Sequence, residues 1–99
     1  MLTINQEDIS GTSYRGTINV PYSTLVEHFG EPMRTCYDSK VQAEWVLYDT
    51  ETEVVATIYD WKFYGTPPEE ITEWNIGGKS FKAKELVNSI LGPEINHNN

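Results

Sequence analysis

Two stretches of the chain, residues 56–62 and 71–80, constrain the fold more than any others. The first is a run of β-branched and aromatic side chains, a composition that favours a strand. The second begins in the same way and reaches a glycine pair, Gly77 and Gly78, directly before a helical pattern starts. We therefore expect two strands of one sheet, the second of which leads through a glycine turn to the N-terminus of a helix.

Two segments have the apolar spacing of amphipathic helices. Apolar residues at i, i+3, i+4 and i+7 across residues 22–29 predict a short helix, which Gly30 and Pro32 end. The same spacing, extended to i+8, across residues 83–91 predicts a second helix with Ser80 as its N-cap. Each helix has one apolar face, which a sheet has to cover.

Alternating apolar and polar residues predict the strands of that sheet. These strands are residues 14–20, 41–48, 53–62 and 71–76. Because the last three are joined by short connections, beginning with a four-residue hairpin turn at residues 49–52, they should form an antiparallel meander. The order β-α-β-β-β-α predicts an α+β two-layer sandwich, with an about four-stranded, mainly antiparallel sheet and two helices on one face. The other face should show Tyr and Trp rings.

Length and composition limit the organisation of the chain and its class of function. We expect residues 14–93 to form a single domain, preceded by an N-terminal arm or edge strand at 1–13 and followed by a polar tail at 94–99. A formal net charge of −8 does not suit direct nucleic-acid binding, which needs clustered Lys and Arg. With no signal-like N-terminus, no apolar run near ~20 residues and the single Cys36, we expect a cytoplasmic protein without a membrane segment.

The basic residues are unevenly distributed. Lys79, Lys82 and Lys84, three of the seven, lie at the predicted start of the second helix. Backbone N–H groups at such a start bind anions, and an anion would offset the unfavourable placement of cations there. Exposed aromatic rings nearby would stack on a nucleobase. These features predict a site for a nucleotide-like ligand composed of Tyr59, Trp61, Lys62, Trp74, Gly77, Gly78, Lys79, Ser80 and Lys82.

The same features have plainer interpretations. The glycine pair can be a purely structural turn, and the lysines a solvated face. A nucleotide-hydrolysing phosphate loop is excluded, because Glu73 stands where that pattern requires glycine. Most of the aromatic rings can equally close a core, and we assign Trp45 to the core outright.

Acidic residues on the hairpin and before the last strand give a second hypothesis. The protein would be an acidic interaction inhibitor that contacts a basic surface of another protein, in one version as a mimic of nucleic-acid phosphates. The residues concerned are Glu51, Glu53, Glu69 and Glu70. The plainer alternative is a solvated acidic rim. An exposed edge strand or aromatic face would also allow a homodimer.

No residues have the spacing of an enzyme or metal site. Neither His28 nor His97 has a partner at zinc-ligand spacing. Cys36 and His28 lack an orienting third group and an evident oxyanion hole. We therefore expect a non-enzymatic protein with no metal and no cofactor, whose partner is another protein or a nucleotide-like small molecule.

Several motifs spread over residues 14–92 together resemble one protein family. They are Tyr-Arg-Gly-Thr at 14–17, Tyr-Ser-Thr-Leu-Val at 22–26, Phe-Gly-Glu-Pro at 29–32, Ala-Glu-Trp at 43–45, and the segments 56–62 and 72–78. The chain resembles small, largely uncharacterised accessory proteins of tailed bacteriophages. The resemblance implies a phage accessory protein in the host cytoplasm, and a protein partner would then be a host protein. Since small phage proteins of this type are often suspected of countering host defence, it also suggests interference with a host defence or regulatory system.

Overall fold

The computed structural model describes residues 1–5, 11–34, 41–62 and 65–92. Within these ranges the strands are β1 Leu2–Ile4, β2 Ser13–Asn19, β3 Met33–Arg34, β4 Ala43–Asp49, β5 Val54–Tyr59 and β6 Glu73–Gly78. The helices are α1 Tyr22–Phe29 and α2 Lys82–Leu91, and a 3₁₀ helix spans Pro68–Glu70. Cys36, His97 and the predicted tail at residues 94–99 lie outside the described residues.

The strands form one antiparallel sheet in the order β1-β4-β5-β6-β2. The short strand β3 pairs with β4 along the same edge as β1, but farther from the β4–β5 turn. The predicted α+β class and the antiparallel meander β4-β5-β6 are confirmed. The prediction omitted β3 and left β1 open as an arm or an edge strand. It also placed the hairpin turn one residue early, because Asp49 pairs with Val54 and the turn is residues 50–53.

Side chains from both helices and from one face of the sheet form the hydrophobic core. At its centre Trp45 and Trp74 meet edge to face, with ring centroids 5.3 Å apart, and Tyr22 packs on Trp45 at 5.8 Å. The Trp45 indole Nε1 donates a hydrogen bond to the carbonyl of Gly30 at 2.8 Å. The core assignment of Trp45 is thus confirmed, and this contact ties β4 to the end of α1.

The glycine pair is where the sequence prediction of the fold is wrong. Gly77 and Gly78 do not form a turn but are the last two residues of β6, paired with β5 on one side and β2 on the other. Their lack of a side chain is explained by close approach. A Cβ on Gly78 would come well inside 3.0 Å of the Cβ of Ala83 in α2, and one on Gly77 would lie 2.6 Å from the Thr57 hydroxyl.

Candidate functional site

On the sheet face opposite the helices lies a shallow concavity of about 230 Å³. Its described lining includes Tyr14, Glu44, Thr57, Tyr59, Trp61 and Gly77. An adjoining depression shares the rings of this lining and adds Asn75. We refer to this region as the open-face pocket. It is bordered by aromatic rings and contains one carboxylate.

Strand register brings these residues together from distant parts of the chain. Gly77 of β6 lies opposite Tyr14 of β2 on one side and Thr57 of β5 on the other. In the next row, Tyr59 lies opposite Glu44. Because side chains two residues apart in a strand share a face, both rows point to the same side of the sheet. Gly77, which has no side chain, forms the floor between them.

A buried carboxylate fixes the backbone directly before Trp61. Asp60 is fully buried, and its Oδ1 accepts hydrogen bonds from the backbone N–H groups of Gln42 at 2.8 Å and Ala43 at 2.9 Å. The Gln42 side-chain amide donates to the other oxygen, Oδ2, at 3.1 Å, and also to the carbonyl of Thr66 at 2.9 Å. These bonds tie the end of β5 to the start of β4. The Trp61 ring follows this anchor and is 43% exposed.

The electrostatics of the open-face pocket favour positive charge. Burial raises the pKa of Glu44, which is half-buried. The pKa of Tyr59 is raised by burial first, and then by the negative charge of Glu44 and by Tyr14. Among the described lining residues there is no Lys and no Arg. A bound anion would therefore meet a carboxylate here and no cation among the described lining residues.

The structure does not bring the nine predicted ligand residues together. Tyr59, Trp61 and Gly77 lie at the open-face pocket. The inclusion of Trp74 needs correction, because this residue is fully buried in the core and its ring is not accessible to a ligand. Gly78 faces α2 and not the pocket.

None of the three lysines at the start of α2 is among the described lining residues of the open-face pocket. Lys82 lines a separate groove of about 400 Å³, where Asp49 and Glu85 are its neighbours. The Lys84 side chain lies along β2, within about 3.0 Å of the position that a Cβ on Gly16 would take. Lys79 is exposed beyond the end of β6. A shared ligand site of these residues with Tyr59 and Trp61 stays a prediction that this geometry does not support.

Ser80 makes the kind of hydrogen bond predicted for an N-cap, although the residue directly before α2 is Phe81. The helix is assigned from Lys82, but Phe81 already has helical dihedral angles of φ −68° and ψ −10°. The Ser80 hydroxyl accepts a hydrogen bond from the Lys82 backbone N–H at 3.3 Å. This use of Ser80 satisfies one of the N–H groups that an anion would otherwise bind.

The four residues of the predicted acidic surface lie in two different connections of the sheet. Glu51 and Glu53 lie in the turn between β4 and β5, whereas Glu69 and Glu70 lie in the 3₁₀ helix between β5 and β6. All four are exposed. Successive connections of an antiparallel meander lie at opposite ends of the sheet, so these residues are two separate acidic groups and not one rim.

Lys62 lies at the border of the pocket without lining it. Its Nζ is 5.9 Å from the centroid of the Trp61 ring, within range of a cation–π interaction. Its backbone has a left-handed φ of +60°. Lys62 and Trp61 therefore lie close together, as predicted for a shared site. In the structure, however, the Lys62 ammonium group contacts the Trp61 ring.

Comparison with protein-family models, curated proteins and solved structures finds no match for this chain. The resemblance to phage accessory proteins therefore stays a prediction, and the function has to be argued from the site. In the described ranges, no helix has both the length and the apolar character needed to cross a membrane. Nor do three or more His, Cys, Asp or Glu residues of these ranges gather where they could hold a metal ion.

Proposed function

We propose that this is a non-enzymatic binding protein whose open sheet face engages a basic surface of a partner protein. The observation that carries the proposal is the open-face pocket, where exposed rings surround the half-buried carboxylate of Glu44 and no described lining residue is basic. Of the two hypotheses drawn from the sequence, this proposal adopts the acidic interaction protein. It differs in the contact surface, which is the open sheet face and not the acidic residues of the turn and the 3₁₀ helix.

Two further observations support an interface. Tyr14 is 60% exposed and Trp61 is 43% exposed, and aromatic residues of this kind dominate binding energy at protein interfaces. The net charge of −8 steers the protein towards a positively charged partner. The rings supply apolar contact area, and the charge supplies attraction and selectivity.

A nucleotide-like ligand is the second candidate, and it has less support. The N–H groups of Gly77 and Gly78 belong to a strand paired on both sides, so they are not presented as a cradle for an anion. What favours this candidate is the exposed basic residues around the start of α2, above all Lys79. If the chain is a phage accessory protein, as its motifs suggest, the partner would belong to a host defence or regulatory system; this part of the proposal rests on the resemblance alone.

The test is affinity capture from a bacterial lysate with immobilised protein and matched surface variants. We expect a partner that salt elutes, that the double variant Tyr14→Ser/Trp61→Ala no longer binds, and that Phe81→Ala still binds. Phe81 is the control, because it is 67% exposed, packs on Arg15 and is not among the described lining residues of the pocket. A partner that all variants retain, or that Phe81→Ala loses equally, would contradict the proposal.

The two candidates are separated by two further measurements. Charge reversal at Glu51 and Glu53, or at Glu69 and Glu70, tests whether either acidic group adds to the attraction. Calorimetry against cyclic and linear nucleotides tests the second candidate. Heat that Lys79→Ala abolishes and Trp61→Ala leaves unchanged would favour a nucleotide site at α2 over the open-face pocket.

A further inference from the structure

We infer that the open-face pocket takes a guanidinium group, an arginine side chain of the partner, which pairs with the Glu44 carboxylate and stacks on the neighbouring rings. The inference rests on the proposed function and adds the chemistry of the occupant. It follows from three features: the state of the carboxylate, the character of the rings, and the position of Lys62.

None of the side chains that the structure describes forms an ion pair with the Glu44 carboxylate. Among these side chains, burial is the cause of its raised pKa. Its cross-strand neighbour is Tyr59, and its neighbour on the other edge of β4 is Met33. A half-buried carboxylate in this state gains from a cation that brings its own hydrogen-bond donors.

The rings favour an organic cation over a metal ion. Tyr and Trp attract cations through the negative faces of their π systems. Ca²⁺ and Mg²⁺ need several oxygen ligands, whereas Glu44 is the only carboxylate in the described lining. A guanidinium group is planar, weakly hydrated and able to donate two parallel hydrogen bonds to one carboxylate while it stacks on a ring.

Lys62 shows that the Trp61 ring already attracts a cation. Its ammonium group lies 5.9 Å from the ring centroid but is outside the described lining of the pocket. An anionic ligand of these rings would use Lys62 as its counter-charge. Removal of the Lys62 charge would leave the affinity for a cationic ligand unchanged or increase it. Lys62→Met should therefore weaken the binding of an anionic ligand but not that of a cationic one.

The test is an NMR titration of the Trp61 indole N–H signal, assigned by its loss in Trp61→Phe. The probes are n-butylguanidinium, its neutral analogue n-butylurea, n-butylammonium and adenosine monophosphate. We expect saturable shifts with n-butylguanidinium, weaker binding of n-butylammonium, and no saturable shift with n-butylurea. Glu44→Gln should weaken guanidinium binding about tenfold, since it removes the charge but keeps the size of the side chain. Lys62→Met should leave it unchanged or tighten it.

Four results would overturn the inference: no saturable shift with n-butylguanidinium, equal shifts with n-butylurea, guanidinium binding that Glu44→Gln leaves intact, or saturable shifts with adenosine monophosphate that Lys62→Met weakens. The dispersion of the remaining amide signals shows that each variant is folded. Failure here is distinct from failure of the proposed function. A captured partner that needs Tyr14 and Trp61, combined with no response to guanidinium, would keep the interface and exclude this occupant.

Discussion

The contact between Gly78 and helix α2 gives a prediction that can be worked out from the structure. A Cβ at Gly78 would lie well inside 3.0 Å of the Ala83 Cβ and 3.2 Å from the Val55 carbonyl oxygen. Carbon atoms pack at about 3.5–4.0 Å, so Gly78→Ala forces α2 away from the sheet by on the order of an ångström. Overpacking of this kind costs about 1–3 kcal/mol. Because α2 also contributes the fully buried Val87 and Leu91, its displacement loosens the core.

Urea denaturation and thermal denaturation, each followed by circular dichroism, measure this loss of stability. For a chain of this size, a loss of about 2 kcal/mol lowers the melting temperature by roughly 8–16 °C. Gly92→Ala is the matched control, because its φ is −46° and nothing lies within 4 Å of the added Cβ. The control should be neutral, or stabilising by up to about 1 kcal/mol.

A double-mutant cycle identifies the clash as the cause. Ala83→Gly removes the methyl group that a Cβ at Gly78 would meet, so Gly78→Ala should cost less in that background, with a coupling of at least about 1 kcal/mol. If Gly78→Ala is as stable as the wild type, or if the two changes are additive, the account of the glycine pair as a close-approach site is refuted.

Three further predictions concern buried polar groups. Trp45→Phe should destabilise the fold by about 1–2 kcal/mol more than Trp74→Phe, as measured by chemical denaturation. The reason is that the Trp45 indole donates a hydrogen bond to the carbonyl of Gly30, whereas the buried Trp74 Nε1 has no acceptor among the described residues. Asp60→Asn should lower the free energy of unfolding by about 1–3 kcal/mol in the same assay. The Asp60 carboxylate accepts three hydrogen bonds, and the substitution replaces one of its acceptor oxygens with an NH₂ donor. Burial raises the pKa of Glu44 above its ordinary 4.5, so this residue favours the fold below that pH and loses the contribution as pH rises through the raised pKa. Glu44→Gln should therefore raise the urea midpoint at pH 7 and leave it nearly unchanged near pH 4; an equal gain at both pH values would contradict this.

Local patterns predict much of this fold because they depend on neighbours in the chain. Helix α1 begins and ends at the residues that its apolar spacing predicts, 22 and 29. The meander follows from alternating strands and short connections. The glycine pair could not be predicted in this way, because two adjacent glycines usually indicate a turn. Here they are required by the close approach of Ala83 in α2 to Gly78 and of Thr57 to Gly77. Both approaches depend on how α2 and β5 pack against β6, which the local pattern does not show.

The site was harder to predict, because it depends on register. With the turn placed at residues 49–52, Glu44 would lie opposite Thr57; the observed turn at 50–53 places it opposite Tyr59. Glu44 is not among the predicted site residues, although it is the one charged side chain between Ala43 and Tyr48. The sequence did indicate that Tyr59 and Trp61 were candidates for exposed rings, and it wrongly added Trp74, whose strand turns it into the core.

The central claim is that the exposed aromatic site attracts positive charge, and charge-selective fluorescence quenching tests it most directly. Trp45 and Trp74 are fully buried, so dissolved ions reach mainly Trp61. At matched ionic strength, each quenching constant is divided by that of the same ion with free N-acetyltryptophanamide, because caesium is intrinsically the weaker quencher of indole. On this scale we predict that caesium quenches Trp61 more efficiently than iodide and that Glu44→Gln narrows the difference between the two ions. Iodide as the better quencher, or a difference that Glu44→Gln leaves unchanged, would contradict the claim.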